Sequence, residues 1–182
     1  MSTLKRTKSA LLVIDVQVGV VAEAYRRHEV VATISDAVEK ARAAEVQVIW
    51  VQHSEDEMPI GSPQWEITPE LVPLEGEQII RKTFRSSFVE TDLSDVLAAG
   101  DIGHLVICGA ETNNCVRHTC HSALELGYDI TLIEDCHTTT GFEWNGYVVD
   151  AARVVDEQNI NFMDYRLPGR SAKVVPLSRI EF

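Results

Sequence analysis

Apolar residues along this chain fall in short unbroken runs, separated by stretches of helical period. ALLVIDV (10–16) is continuous rather than alternating, the pattern of a strand covered on both faces of a sheet. Between residues 28 and 44 the spacing changes: Val30, Ile34, Val38 and Ala41 share one side of a helix. VQVIWVQH (46–53) reads as a second strand and EQIIRK (77–82) as a third. Thr91 stands where an N-cap would start a helix carrying Leu93, Val96 and Leu97, and Gly100 would stop it. HLVIC (104–108) is a fourth strand, followed by a helix that opens near Thr112, buries Val116, Cys120 and Ala123, and ends at Gly127. YDITLIED (128–135) supplies a fifth strand, and Val148, Ala152 and Val155 mark another helix. Either INFMD (160–164) or AKVVPL (172–177) could add a sixth strand.

Strands alternating with helices predict an α/β fold: a three-layer α/β/α sandwich around a mainly parallel, roughly six-stranded sheet, Rossmann-like in outline. No internal repeat or linker divides the chain, so residues 1–182 are expected to form one domain. Residues 53–76 lack a clear period and hold four of the six prolines, Pro59, Pro63, Pro69 and Pro73. So long a loop inside a compact domain suits a lid, with a passive surface excursion as the plainer alternative.

Composition narrows the partners. Sixteen basic residues against twenty-eight acidic ones give a formal charge of −12, which repels phosphate backbones and anionic membranes. Nucleic acid and membrane are therefore not expected as partners. The start, KRTKSALLVID, imitates a signal peptide, but its apolar stretch is short and Asp15 interrupts it. A soluble, cytoplasmic protein is expected. The four cysteines at 108, 115, 120 and 136 form no C-x-x-C pair and read as free thiols. Cys115, His118 and His121 suggest zinc, yet a step of three drifts around a helix and a structural site needs four converging ligands. Surface histidines are the simpler reading, and no metal is expected.

In sheets of this kind ligands bind beyond the carboxyl ends of the strands. The first strand ends at Asp15, the third at Lys82, and the fourth feeds the turn that leads to Cys115. Singly, Asp15 could be a cap, Lys82 a surface lysine and Cys115 a core residue. Together they bring an acid, a base and a thiol to one rim. A cysteine in the first turn of a helix also inclines toward the thiolate. Neither G-x-G-x-x-G nor G-x-x-x-x-G-K-[ST] occurs, nor G-x-S-x-G, which leaves cysteine chemistry as the main candidate.

LLVIDVQ, RKTFRSSF, CGAETNNCV and GYDITLIEDC, in that order and spacing, resemble the isochorismatase-like cysteine hydrolases across residues 9 to 155. That superfamily includes nicotinamidases, N-carbamoylsarcosine amidase, and biuret and ureidoacrylate hydrolases. The resemblance implies an Asp15–Lys82–Cys115 triad, a cis peptide joining Ala110 to Glu111, and an oxyanion hole made by the backbone N–H groups of Glu111 and Cys115. It implies attack by Cys115 on an sp² carbon, usually an amide carbonyl, with Asp15 moving the proton, Lys82 supplying positive charge, and water cleaving the thioester. No cofactor is needed. It also implies a homo-oligomer, a dimer or larger, to which the last twenty residues, with Tyr165 and Pro168, could contribute.

Departures from the family pattern matter too. Nicotinamidases commonly carry an Asp-x-His pair and a further His for a metal, whereas VQHSEDEMPIGSPQW has a lone His53. An aromatic residue often follows their D-x-Q, where this chain has Gly19 and Val20. Both argue against a catalytic metal and against nicotinamide. Trp65 and Phe88 are then candidates to shape the pocket, or are packing residues. Gln17, on a continuing strand, would share a face with Asp15 and bind substrate or brace the carboxylate. Glu111 would fix the turn or point at a cationic substrate group, and His53 would line the pocket or begin the lid. Rival readings are hydrolysis of a vinyl ether such as isochorismate by proton transfer from the aspartate, a non-catalytic binding module, and a flavodoxin-like cofactor binder.

Overall fold

The computed structural model describes residues 5–182, so the first four residues of the expected 1–182 span lie outside the described residues. Strands β1 (Lys8–Ile14), β2 (Gln47–His53), β3 (Gln78–Lys82), β4 (Ile102–Ala110) and β5 (Asp129–Thr138) alternate with helices α1 (Val18–Val21), α2 (Arg27–Ala43), α3 (Leu93–Ala99) and α4 (Arg117–Leu126). A hairpin of β6 (Phe142–Trp144) and β7 (Tyr147–Val149), helix α5 (Ala151–Met163), and strands β8 (Arg166–Leu167) and β9 (Arg170–Val175) follow. The main sheet has seven strands in the order β3-β2-β1-β4-β5-β9-β8. Among the described residues only the short β8 pairs antiparallel in it.

Side chains of β1 show why its run is continuous. Leu11 and Val13 join α2 residues such as Ile34 and Val38 on one face. Ala10, Leu12 and Ile14 join Leu97 of α3, Ala123 of α4 and Phe162 of α5 on the other. Alternate residues of a strand point to opposite faces, so a strand covered on both sides must be apolar throughout. The chain leaves β1 toward β2 and β3, then returns to lay β4 on the other side of β1. That reversal between β1 and β4 is the switch point where open α/β sheets place ligands.

Several elements differ from the periodicity. Val148 belongs to the β6–β7 hairpin, whose Asn145 and Gly146 have φ of 50° and 78°. Asn-Gly with positive φ at both positions is a turn that matches the twist of paired strands. The helix starts later, where Asp150 Oδ1 accepts the N–H of Ala152 at 2.9 Å. INFMD lies largely inside α5, and AKVVPL supplies β9. Helix α3 is capped at Asp92, one residue beyond Thr91, although Thr91 Oγ1 still accepts the Leu93 N–H at 3.4 Å. The long loop is irregular but anchored, with Met58, Trp65 and Leu71 buried and Gln17 bridged to Ile67.

Gly109 is held by a close approach at the switch point. Its φ is 125°, and a Cβ there would lie 2.0 Å from the carbonyl oxygen of Ile14, the residue before Asp15. Neither backbone can yield without parting β4 from β1. Gly109→Ala is expected to cost at least about 3 kcal/mol, seen as a lower urea midpoint or as insoluble protein.

Candidate active site

Three strand ends, those of β1, β3 and β4, bring the polar residues together. Asp15 follows β1 with φ of 49°, which turns its side chain out of the strand's alternation. Lys82 is the last residue of β3. Cys115 sits in a wide five-residue turn, Thr112–Val116, of π-helical geometry, and α4 begins only at Arg117. Lys82 Nζ lies 2.6 Å from Asp15 Oδ2 and donates to Cys115 Sγ at 3.2 Å. Asp15 and Lys82 are 1% and 2% exposed. Neither Asp15 oxygen has an aligned hydrogen-bond partner among the described residues, so its contact with Lys82 is an ion pair with acceptor capacity to spare.

Burial dominates the protonation of this cluster. It pushes the Asp15 carboxyl above the usual carboxylate range, opposed by Lys82. Burial first, and then the Asp15 carboxylate, push the Cys115 thiol up to about 12, with Lys82 again opposing. The field of a helix start therefore does not win, and a resting thiol rather than a thiolate is the form near neutral pH. The proton must leave as the sulfur attacks, and Asp15 is the adjacent acceptor.

The turn ahead of Cys115 is held from several sides. The Ala110–Glu111 peptide is cis. Glu111 O accepts the N–H groups of Asn114 and Val116 at 3.1 and 3.2 Å. Its carboxylate accepts Asn114 Nδ2 at 2.7 Å and Thr140 Oγ1 at 3.0 Å. Buried His137 holds the start of the turn, its Nδ1 2.9 Å from Thr112 Oγ1 and its Nε2 2.9 Å from Asn159 Oδ1. Burial lowers the pKa of His137 from 6.5 to about 4. An unfolded chain then takes up a proton that the folded one refuses. The stabilisation is present above about pH 6.5 and is lost as pH falls toward 4. Roughly 3 kcal/mol is at stake, and His137→Gln is expected to flatten this limb in urea unfolding measured across that range.

A cavity of about 570 Å³ opens above Cys115, with Asp15, His53, Met58, Arg85, Glu111 and Cys115 among its lining. The loop after β2 contributes Glu55, Glu57, Met58 and Gln64. His53 is in the wall, its Nδ1 3.4 Å from Lys82 Nζ. Glu111 both fixes the turn and faces the cavity.

Gln17 does not share a face with Asp15, because the strand stops at Ile14 and the alternation breaks at Asp15. It is fully buried. Its Nε2 donates to the carbonyls of His53 and Trp65 at 2.9 and 2.7 Å, and its Oε1 accepts the His53 N–H at 2.8 Å. Gln17 thus ties the end of β2 to the long loop. Trp65 is 7% exposed, lies under the Arg81 guanidinium and is outside the cavity lining. Phe88 packs against Tyr128, with ring centroids 5.7 Å apart, and is also outside the lining. His118 is exposed, and His121 packs between Phe162 and Tyr165. Arg85, Glu23 and Thr140 were not legible as site residues, since they lie on loops without period. The run SEDEM after His53 was the one available signal of an acidic wall.

Residues 9–157 match the isochorismatase domain family model. A streptothricin hydrolase of Streptomyces noursei is 32% identical over 140 residues, which make up 74% of this chain. They make up 56% of that relative, so the chain spans little more than half its length. An uncharacterized isochorismatase family protein, YrdC of Bacillus subtilis, is 34% identical over 155 residues, covering 81% of this chain and 83% of the relative. The crystal structure of an isochorismatase from Pseudomonas putida KT2440 superposes with a TM-score of 0.85 at 26% identity, covering 99% of this chain and 92% of the other.

Proposed function

The chain belongs to the isochorismatase family of hydrolases, and from that premise we propose that it cleaves a C–N bond of a small amide or ureido compound through a thioester on Cys115. The observation that carries this reading is the contact set at the cavity floor: Lys82 Nζ 3.2 Å from Cys115 Sγ and 2.6 Å from Asp15. A thiol, a general base and a fixed positive charge then meet one bound carbonyl.

In this mechanism Cys115 Sγ attacks the carbonyl carbon while its proton passes to Asp15. The backbone N–H groups of Glu111 and Cys115 receive the oxyanion, a kind of contact whose loss costs about 3–4 kcal/mol of activation energy elsewhere. The intermediate collapses to the thioester, and Asp15 returns the proton to the departing amine or ammonia. Water attacks the thioester, gives its proton to Asp15, and the acid and the thiol are released. Lys82 keeps Asp15 ionised between turnovers. Bond for bond, one amide and one water yield one carboxylic acid and one amine.

The test is ammonia or amine release from nicotinamide, N-carbamoyl amino acids, biuret, maleamate and ureidoacrylate, with mass spectrometry of the quenched enzyme. Turnover together with an acyl adduct on Cys115 supports the proposal. Silence across the panel, with turnover of a vinyl ether that survives Cys115→Ala, would replace it. The raised Asp15 carboxyl is what favours that second reading, since a protonated acid can deliver a proton to an enol ether carbon.

Two accompanying expectations belong to the same proposal. A cytoplasmic location suits four free cysteines, three of them buried. Among the described residues no helix is long and apolar enough to cross a membrane. A homo-oligomer, a dimer or larger, suits the apolar surface of the β6–β7 hairpin, where Trp144, Tyr147 and Val148 are 70%, 76% and 81% exposed. Light scattering is expected to give a multiple of 20.3 kDa, and a monomer would overturn this part.

A further inference from the structure

Taking Cys115 as the nucleophile, we propose that the cavity selects substrates that carry a positive charge, an ammonium or guanidinium group on the side facing Glu111 and the long loop. Four carboxylates besides Asp15 line the cavity, from three separate segments: Glu23 after α1, Glu55 and Glu57 in the loop after β2, and Glu111 in the cysteine turn. Arg85 and His53 are the cationic or titratable residues set against them.

Elsewhere arginines neutralise several of the acids. Glu70 pairs with Arg27, Glu77 with Arg42, Asp129 with Arg170 and Glu157 with Arg117. Among the described residues no ion pair engages Glu23, Glu57 or Glu111, and Glu55 meets only the His53 ring, at 3.6 Å. A concave site with unbalanced carboxylates concentrates the field of a chain already at −12.

Two further observations point to a ligand with N–H donors. The Glu111 carboxylate is oriented by neutral donors, Asn114 and Thr140, and a carboxylate has about four acceptor positions, so acceptor capacity remains toward the cavity. Asp15, 1% exposed and in the cavity lining, has no aligned hydrogen-bond partner for Oδ1. An ammonium or guanidinium satisfies fixed carboxylates with charge-assisted bonds, whereas a neutral or anionic group leaves them unmatched.

The experiment reads the charge preference at Cys115 without requiring a known substrate. The thiol is modified with three methanethiosulfonates: a cationic trimethylammonium-ethyl and an anionic sulfonatoethyl reagent of comparable size, and a smaller neutral methyl reagent. Each transfers its RS group to sulfur and releases methanesulfinate. Cys108, Cys120 and Cys136 are buried, and Cys115→Ser serves as the blank. After division by the same ratio for 2-mercaptoethanol, the cation-to-anion rate ratio is expected to be at least roughly tenfold at low salt and to shrink in high salt. The exposed double variant Glu23→Gln/Glu57→Gln is expected to lower that ratio, slowing the cationic reagent more than the neutral one. A ratio equal to that of mercaptoethanol, an anionic preference, or a ratio unmoved by the double variant overturns the proposal while leaving the nucleophile reading intact. No modification by any reagent overturns the nucleophile reading and this proposal with it.

Discussion

Cys115→Ala is expected to lower kcat/KM by on the order of 10⁴-fold on any amide the enzyme turns over, without a comparable loss of stability. The size follows from what is removed. Alanine abolishes the covalent path, and what remains is binding, an oxyanion site and a carboxylate facing water. In enzymes whose nucleophile and base act as a unit, that remainder is a small fraction of the whole. Stability is a separate matter, since Cys115 is only partly buried and Lys82, which donates to its sulfur, keeps Asp15. Cys115→Ser sharpens the test. Oxygen fits the space, but an alcohol is far harder to deprotonate than a thiol, and a carboxylate is a weak base for it, so serine is expected to fall close to alanine. Unfolding curves beside initial rates check both halves. Retention of activity within about tenfold of the parent would remove the thioester from the reaction.

The same cluster shows where the sequence was legible and where physical reasons hid the rest. Asp15, Lys82 and Cys115 could be placed at one rim because parallel strands send their carboxyl ends to the same side. Runs covered on both faces are apolar throughout, so the buried strands were plain as well. The direction of Gln17 is hidden for a local reason: the strand does not continue, because a positive φ at Asp15 ends the alternation that would set it. Trp65 and Phe88, as large aromatics, admit two readings, pocket wall or packing, and topology sends them into packing, under Arg81 and against Tyr128. The hairpin at Phe142–Val149 carried its signal in Asn145-Gly146, which helical spacing from Val148 to Ala152 obscured. Cys115 is the most instructive case. A helix-end field can be inferred from sequence, whereas desolvation depends on neighbours far along the chain, and here desolvation has the opposite sign and prevails.

That balance sets the outcome expected for Lys82→Met. Burial raises the Asp15 carboxyl and Lys82 opposes it, so methionine leaves a buried carboxylate with no counter-charge. Removing one member of a buried pair costs about 3–5 kcal/mol if the other stays ionised. Asp15 can escape part of this by keeping a proton, which makes the cost depend on pH. In the unfolded chain Asp15 titrates near 3.8, and in the folded variant higher still than in the parent. Between those two values the folded state holds a proton that the unfolded state has released, so stability falls as pH rises through that window. The gap between parent and variant is therefore expected to be small near pH 4 and to widen as pH rises from there, as read from urea midpoints. Activity should fall with it, by on the order of 10³-fold where Asp15 keeps its proton, because a protonated Asp15 cannot take the thiol's proton. Asp15→Asn, which removes the acid and leaves the buried Lys82 as the group without its counter-charge, separates the two effects because no carboxyl is left to titrate. It is expected to lose comparable activity, and its stability gap should not widen with rising pH in the way that of Lys82→Met does. If the gap for Lys82→Met were the same at both ends of the range, Asp15 would not be the group that responds, and its assignment as the proton acceptor for Cys115 would lose its electrostatic basis.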